Sequence, residues 1–420
     1  MSADEKMIWD VGIIGAGASG LAAAVLCGRE KLKTLLLEGE ASAGAKILIS
    51  GGGHCNITHR EVTEKDYGSE APRKVRHVLK AFSPEETAAF FESLGVPLVA
   101  GEGGKIFPSP SSGRAVVEAF LKEIRPLGVR IETKKKVGSV VFRAGLFLIK
   151  GRDFEYFSKT VVLCTGGLSY PSTGSDGTGY EIAKAFGHHL ISLTPALTPF
   201  LTTDPDCKNL SGVTLSVCLS LWAGGKKASE SRGDFLFTHS GFSGPVVLDI
   251  SRHWIRRRTE GRAEVKADFL PRIKEADFRL QMIQACRKTP AKTLKKFLSV
   301  FLPERLAGML LEKRGIDGNL ILNQLGREAR EAVLKALFHF PLPVNGASGY
   351  DKAEATAGGV DLDEVDSATL ESKFQKGLFF AGEILDADGR IGGFNLQWAW
   401  AGANVASAGV LRRLRERETD

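Results

Sequence analysis

The chain has 420 residues, 43% of them hydrophobic and 25% charged, a composition that excludes disordered and fibrous proteins and allows two or three globular domains. Its six cysteines include no CxxC pair, so the usual zinc sites and disulfide frameworks are excluded and a reducing cytoplasm is expected. The formal net charge of +7 permits an acidic partner without requiring one, because the short Lys/Arg clusters are typical of solvated faces.

No targeting or membrane segment is predicted. The N-terminal MSADEKM carries acids and no apolar core, unlike a signal peptide. The apolar stretch at residues 11–27 contains glycines and is shorter than the ~20 residues that a membrane span needs.

Residues 10–38 are predicted to form a βαβ unit that binds a dinucleotide. Apolar runs at 11–14 and 34–37 are typical of buried strands, and between them the turn GAGASG precedes an Ala-rich helix. Gly15 permits the tight turn, Gly17 lets a pyrophosphate approach the backbone, and Gly20 lets the helix pack close to the strand. Glu38 would accept hydrogen bonds from a ribose, and its charge would repel a 2′-phosphate. The expected ligand is therefore FAD or NAD rather than NADP.

A glycine-rich loop follows at residues 44–59. Its three consecutive glycines, at 51–53, indicate either a close approach of the backbone to a ligand or a sharp reversal of the chain. Lys46 could reach a phosphate, and Asn56 could form hydrogen bonds from the same loop. A plain glycine-rich surface loop is the alternative interpretation.

Helices and strands then alternate. Ser83, Pro84 and Glu86 predict a capped helix over 83–94, and a second helix is expected over 112–124. Three strands are expected after it, at 129–131, 137–142 and 161–164.

The last of these strands runs into a turn of small residues, Thr165, Gly166 and Gly167. Such a turn would place backbone against a ligand at the carboxyl edge of a parallel sheet. A polar loop at 169–180 follows and leads into another helix.

The character of the sequence changes after Pro195, where short strands, at 215–221 and 234–237, are separated by Gly/Ser turns. Residues 273–311 and 321–340 are Lys/Arg-rich and typical of helices. The expected domains are an N-terminal part of a cofactor-binding domain, a β-rich, barrel-like insertion, a helical insertion and a C-terminal part of the first domain, at 1–195, 196–270, 271–341 and 342–420.

The α/β pattern returns near the C-terminus. A strand at 377–381 is followed by Gly382, Glu383 and Asp386, and then Gly393 precedes an apolar helix. An acid here would bond to the ribityl chain of a flavin, and the helix N-terminus would face the flavin edge that gains negative charge on reduction. Because two distant motifs would hold the two ends of one cofactor, FAD is favoured over NAD.

Four stretches resemble the YhiN/BaiN-like bacterial flavoproteins, also called the aminoacetone oxidase family. They are AGAKILISGGGHCNIT, VVLCTGGLSYPSTGSDGTGYEIAKAFGHHL, FLFTHSGFSGP and LFFAGEILDADGRIGGFNLQWAW. The resemblance implies an α/β fold, a Rossmann-like FAD domain of the two-dinucleotide-binding type, with inserted β-barrel and helical subdomains.

The resemblance also implies a set of FAD contacts. The adenosine and pyrophosphate would lie against Gly15, Gly17, Ala18, Gly20, Glu38, Val137, Thr165 and Gly166. The flavin and ribityl chain would lie nearer Lys46, Gly51, Gly53, His54, Cys55, Asn56, Glu383, Asn395 and Leu396. The glycine-rich turns described above add Gly167, Gly382, Asp386, Gly393 and Phe394 to the expected cofactor site. The chain has His54 where the family usually has Arg, which removes a permanent positive charge from the flavin loop.

No catalytic residue is identified, and the candidates are His239, Tyr170 and His54. Cys55 lacks a partner thiol, so a structural role is expected. Four further residues are expected to have structural roles only. His188 and His189 would cap a helix C-terminus. Of Trp398 and Trp400, one would lie in the core and the other at the surface.

The sequence therefore predicts a cytoplasmic, FAD-dependent oxidoreductase with no metal. The flavin would exchange a hydride with a small organic molecule, either enone- or steroid-like or an amine, and NADH or NADPH could visit as a transient reductant. The alternatives are a tRNA-binding or tRNA-modifying flavoprotein, suggested by the pI of about 9.0, and a flavin-bound sensor without turnover. The sequence does not predict the oligomeric state.

Overall fold

The computed structural model describes residues 7–258 and 263–419. The chain divides into two compact units: a main unit, made of Met1–Thr194 and Glu354–Asp420, and an inserted unit, Pro195–Ala353. Residues 1–6, on which the expectation of no signal peptide depends, lie outside the described residues. The division into four segments remains a prediction. It places the return to the main domain at residue 342, whereas the chain re-enters the main compact unit at Glu354.

The described residues contain strands and helices throughout both units. The strands are β1 (Ile8–Ile14), β2 (Thr34–Leu37), β3 (Thr58–His59), β4 (Tyr67–Gly68), β5 (Leu98–Ala100), β6 (Lys105–Pro108), β7 (Arg130–Glu132), β8 (Val137–Arg143), β9 (Leu146–Gly151), β10 (Glu155–Leu163), β11 (Leu190–Ala196), β12 (Phe200–Leu201), β13 (Thr214–Ala223), β14 (Lys226–Phe237), β15 (Gly241–Ser243), β16 (Ala263–Asp268), β17 (Phe340–Pro341), β18 (Gly346–Ala347), β19 (Ala355–Val360), β20 (Leu378–Phe380) and β21 (Asp388–Gly389). The helices are α1 (Ala18–Arg29), α2 (Ala45–Ile49), α3 (Pro72–Lys80), α4 (Pro84–Ser93), α5 (Gly113–Ile124), α6 (Thr178–Ala185), α7 (Pro205–Asn209), α8 (Pro245–Arg258), α9 (Glu275–Lys288), α10 (Leu294–Leu298), α11 (Glu304–Glu312), α12 (Arg327–Phe338) and α13 (Phe394–Thr419).

The main unit is built on a mixed sheet in the order β7-β2-β1-β10-β9-β8, with β20 also paired to β10. The strands β7, β2, β1, β10 and β20 run parallel, while β9 pairs antiparallel with the first half of β10. The side chains of Val11, Ile13 and Leu36 are fully buried, as expected for strands covered on both faces. The carboxyl ends of β1, β2, β10 and β20 consequently meet at one edge of the sheet.

The glycine turn between β1 and α1 is as compact as its sequence predicts. A methyl group added at Gly20 would come within 1.8 Å of the Gly15 carbonyl oxygen, and Gly15 has a φ of +97°. Only glycine fits both positions, so α1 can begin directly at the sheet edge.

The long helix α13 is buried on several sides, since it packs against α1, α3, α4 and β20. The expectation that one of its two tryptophans would lie at the surface is wrong. Trp398 and Trp400 are each 1% exposed, and their indole N–H groups donate to the carbonyl oxygens of Gly382 and Ile57. A helix covered all round can bury residues two positions apart.

The expected capping role is confirmed for the backbone of His188, whose amide donates to the Ala183 carbonyl oxygen in the last turn of α6 at 3.2 Å, but the two side chains have other partners. Helix α6 ends at Ala185, beyond which His189 Nδ1 contacts the Glu364 carboxylate at 2.5 Å. His188 is buried, with Nε2 2.7 Å from Ser372 Oγ. Burial lowers the pKa of His188, whereas the hydrogen bond to Glu364 raises the pKa of His189. Both side chains thus fasten a loop of the main unit.

The inserted unit combines a sheet in the order β17-β16-β13-β14-β15-β12-β18 with helices. Strands β13 and β14 form a long hairpin, so the short strands predicted here extend further than expected. The predicted helical stretch at 273–311 is three helices, α9, α10 and α11. Phe235, Phe237 and Phe242 belong to the buried hydrophobic core of the inserted unit. No helix of the described residues is both long and apolar enough to cross a membrane.

Candidate functional site

The candidate site lies at the carboxyl edge of the main sheet, where parallel α/β sheets bind their ligands. Four segments of the main unit meet there, each following a parallel strand: 15–20 after β1, 38–46 after β2, 164–169 after β10 and 381–386 after β20.

Glu38 supports the glycine turn from the end of β2. Its Oε2 accepts a hydrogen bond from the Ala16 amide at 2.8 Å, and its Oε1 accepts one from the Glu40 amide at 2.9 Å. Each carboxylate oxygen retains a lone pair with which it can accept a bond from a ribose hydroxyl. Glu38 thus lies where a ribose is expected. It also holds the glycine turn through the Ala16 amide, a role that the sequence did not indicate.

The glycine turn fits a diphosphate. No side chain of the described residues caps α1 at Gly17, so the first amide groups of the helix, including that of Ala18, are available to an anion. A methyl group added at Gly17 would meet no described heavy atom within 4 Å. Nearby, the Thr165 hydroxyl is buried without a hydrogen-bond partner among the described residues, and Gly166 has a φ of +71°. An open turn, free amides and an orphaned hydroxyl suit the pyrophosphate of FAD.

The glycine-rich loop has an unusual backbone. Gly51, Gly52 and Gly53 have φ values of +56°, +67° and +91°. A methyl group on Gly51 or Gly53 would contact nothing nearer than 3.7 Å, so space lies beside the loop. We expect a ligand to lie against this open backbone.

Cys55, His54 and Asn56 have different surroundings in that loop. Cys55 is buried, and burial raises the pKa of its thiol to about 11, so the thiol stays protonated at neutral pH, in keeping with a structural role. His54 is exposed, with Nδ1 3.1 Å from Ser111 Oγ. The Asn56 amide oxygen accepts a hydrogen bond from the Ile106 amide.

An ion pair joins the second and fourth segments of the site. Lys46 Nζ lies 2.6 Å from Glu383 Oε2 and also donates to Ser169 Oγ. Glu383 Oε1 accepts from Ser169 Oγ at 2.7 Å and from the Thr356 amide at 2.8 Å. Burial opposes ionisation of Glu383, yet Lys46 and these hydrogen bonds hold the pKa of the carboxyl below its ordinary value. Ser169 and Thr356 were not singled out by the sequence, since both lie far from Glu383 along the chain.

The C-terminal segment uses its polar side chains within the protein. The Asn395 amide bonds to both the amide and the carbonyl of Gly389, and Asp386 Oδ2 accepts from the Glu70 amide at 2.9 Å. Phe394 is buried and stacks on His59 with ring centroids 4.9 Å apart.

Two glycines and the start of α13 form the remaining part of this segment. A methyl group on Gly393 would come within 2.6 Å of the Thr58 carbonyl oxygen, and one on Gly382 within 2.7 Å of Ser19 Oγ. Leu396 is half-buried. Because the two glycines have no side chain, we expect a ligand to meet this segment through its backbone amides.

The other predicted residues lie further apart. Val137 is buried at the start of β8. Tyr170 has a left-handed backbone with φ +52°, and burial raises the pKa of its phenol. Gly167 is closely packed, because an added methyl group would come within 2.4 Å of Thr356 Oγ1. His239 lies exposed in the inserted unit and remains a candidate only.

Comparison with known proteins matches residues 9–409 to the family described as HI0933-like protein Rossmann domain. The chain belongs to this family. It is 34% identical to the 3-dehydro-bile acid delta(4,6)-reductase of Clostridium scindens, covering 96% of this chain and 99% of the relative. It is 32% identical to the ribosomal RNA dihydrouridine synthase of Haemophilus influenzae, covering 96% and 98%.

Among solved structures, the 3-ketosteroid delta1-dehydrogenase from Sterolibacterium denitrificans has the same fold, with a TM-score of 0.53 at 13% identity over 96% of this chain and 99% of that one. The HI0933-like chain therefore has the expected Rossmann-type FAD-binding fold, and the resemblance to YhiN/BaiN-like flavoproteins is confirmed. It is an enzyme, an FAD-dependent oxidoreductase.

Proposed function

We propose that this enzyme reduces a carbon–carbon double bond conjugated to a carbonyl group, on a steroid-like or other small organic substrate. The observation that carries the proposal is the similarity of this chain to a relative named as a bile acid reductase, which covers 99% of that relative's length. The second relative is named for making dihydrouridine, and uracil also presents a double bond conjugated to a carbonyl. The two named reactions thus share one kind of reducible bond.

The residues of the main unit would bind the cofactor as follows. The turn at Gly15 and Gly17 and the free amides of α1 would hold the diphosphate, and Glu38 would bind the adenosine ribose. Residues 51–56 and the start of α13 would bind the flavin. Bound FAD, once reduced by two electrons, would supply a hydride for the carbon β to the carbonyl.

A proton must reach the α-carbon to complete the reduction. The Tyr170 phenol, with its raised pKa, stays protonated at neutral pH and could donate it. NADH or NADPH would restore the two electrons and is proposed as a transient reductant, because the chain has a single GxGxxG turn.

The test is anaerobic stopped-flow spectroscopy of the FAD-loaded protein. Bleaching by NADH or NADPH, followed by recovery of the visible band with a 3-oxo-Δ4 steroid, supports the proposal. A saturated 3-oxo steroid is the matched control and should leave the flavin bleached. Reduction by amines, with no recovery by any enone, would contradict the proposal and indicate an amine oxidase.

A second candidate, reduction of uridine in RNA, is favoured by charge. Residues 195–353 contain 25 Lys and Arg against 16 Asp and Glu, a net +9, whereas the rest of the chain contains 31 against 33, a net −2. The positive charge is thus concentrated in the inserted unit, as in proteins that bind a polyanion.

Charge reversal separates this candidate from the first. K288E/K296E reverses two exposed lysines of the inserted unit, and R73E/K122E reverses two exposed cations of the main unit. If RNA is the substrate, the first pair should weaken binding of an rRNA transcript and lower its salt dependence, and the second should change little. Formation of dihydrouridine in that transcript decides the question, and its absence with reduced FAD would exclude the candidate.

A further inference from the structure

The dinucleotide site contains one cation in its core segments. Residues 15–20, 44–58, 164–169 and 382–389 include a single Lys or Arg, Lys46. A diphosphate brings two negative charges, so this lysine is the natural source of attraction beyond the dipole of α1.

The segments that carry Lys46 and Glu383 are each hydrogen-bonded to the glycine turn. The Gly44 amide, two residues before Lys46, donates to the Ala16 carbonyl oxygen at 2.8 Å. Ser19 Oγ, within the turn, donates at 3.2 Å to the carbonyl oxygen of Ala381, two residues before Glu383. Each member of the ion pair therefore follows, by two residues, a backbone group that is bonded to the turn that would hold the diphosphate.

Glu383 neutralises that cation within the protein. Its carboxylate accepts three donors, from Lys46, Ser169 and Thr356, and the Lys46 and Glu383 side chains are only 26% and 18% exposed. Interactions between such poorly hydrated charges are weakly screened, so each charge also acts on a neighbouring anion.

We propose that the Lys46–Glu383 pair sets the affinity of the site for the diphosphate of FAD, with Lys46 attracting the cofactor and Glu383 restraining that attraction. The proposal rests on the FAD site described above and concerns the affinity for FAD rather than the reaction. The two members of one ion pair should therefore have opposite effects, which a purely structural bridge would not produce.

Titration of the apoprotein with FAD, followed by quenching of flavin fluorescence, tests this inference. K46M removes the cation and leaves Glu383 without its counter-charge, so it should weaken binding by about tenfold or more. E383Q keeps an acceptor of the same shape and removes the opposing charge, so it should tighten binding and steepen the salt dependence. S169A removes a neutral hydrogen-bond partner and should have the smallest effect.

The double variant K46M/E383Q gives the sharpest comparison. It removes the unpaired carboxylate, so it should bind FAD better than K46M alone. Two results would overturn the proposal. One is that E383Q binds FAD no more tightly than the unmodified protein, and the other is that the double variant binds FAD more weakly than K46M. Circular dichroism confirms that each variant is folded. The titration uses no substrate. If the protein fails to reduce an enone, the measured affinities for FAD still test this inference.

Discussion

At the scale of single residues, His253 provides a pH dependence with a definite sign. It lies on α8, where burial and then the charges of Arg252, Arg257 and Arg256 lower its pKa from 6.5 to about 4. In the unfolded chain the imidazole takes up a proton near pH 6.5, whereas the folded protein resists this. Stability is therefore complete above pH 6.5 and is lost as the pH falls from 6.5 toward 4.

We expect His253 to account for a loss of about 1–2 kcal/mol in the free energy of unfolding between pH 7 and pH 5. H253Q should flatten that part of the profile. H77Q replaces an exposed histidine on α3 and should leave the profile unchanged. Chemical unfolding monitored by circular dichroism at both pH values measures the difference, and parallel profiles for H253Q and the unmodified chain would refute the assignment.

At the scale of helices, the same substitution should have opposite effects at two glycines. A methyl group at Gly308 in α11 would meet nothing closer than the flexible Lys295 side chain at 3.7 Å. At Gly409 in α13 it would come within 2.5 Å of the Thr369 carbonyl oxygen and 2.8 Å of the Phe379 ring. G308A should stabilise the chain by about 0.5–1 kcal/mol, through helix propensity. G409A should destabilise it by about 1–3 kcal/mol, through overpacking. Urea unfolding of both variants tests this, and a stabilising G409A would show that α13 can move away from its neighbours.

The helices also show what a sequence can predict. The capping box of α4 was predicted correctly, because Ser83 Oγ and the Glu86 carboxylate each bond to the other residue's amide within one turn. The burial of Trp398 and Trp400 was not, because it depends on elements that cover α13 from several sides. Local chemistry decides where a helix begins, whereas tertiary packing decides which of its faces are covered.

At the scale of the whole molecule, the site shows the same limit. The sequence located the glycine turn, the triple-glycine loop and the C-terminal segment, because each is a local pattern. It did not indicate that Lys46 pairs with Glu383, 337 positions away, or that Thr356 completes the network. Those contacts arise from the order β2-β1-β10-β20, which brings distant strand ends to one edge.

The two compact units should fold separately, because each has its own buried cluster of hydrophobic residues. The chain leaves and re-enters the main unit through β11 and β19, which pair with each other. Gly358 lies against Ser192, and the Asp361 amide donates to the His189 carbonyl oxygen, so the two strands run antiparallel and their ends at 194 and 354 approach each other. An Asn-Gly turn could therefore replace residues 195–353.

We expect the shortened chain to retain one FAD per molecule and its visible spectrum, since all four segments of the site lie in the main unit. Residues 195–353 expressed alone should unfold in one cooperative transition, as a domain with its own core does. Absorbance of the purified shortened chain and thermal unfolding of the insertion are the two measurements. A shortened chain that is folded but colourless would show that the insertion helps to hold the cofactor, and the FAD site would then have to include residues from it.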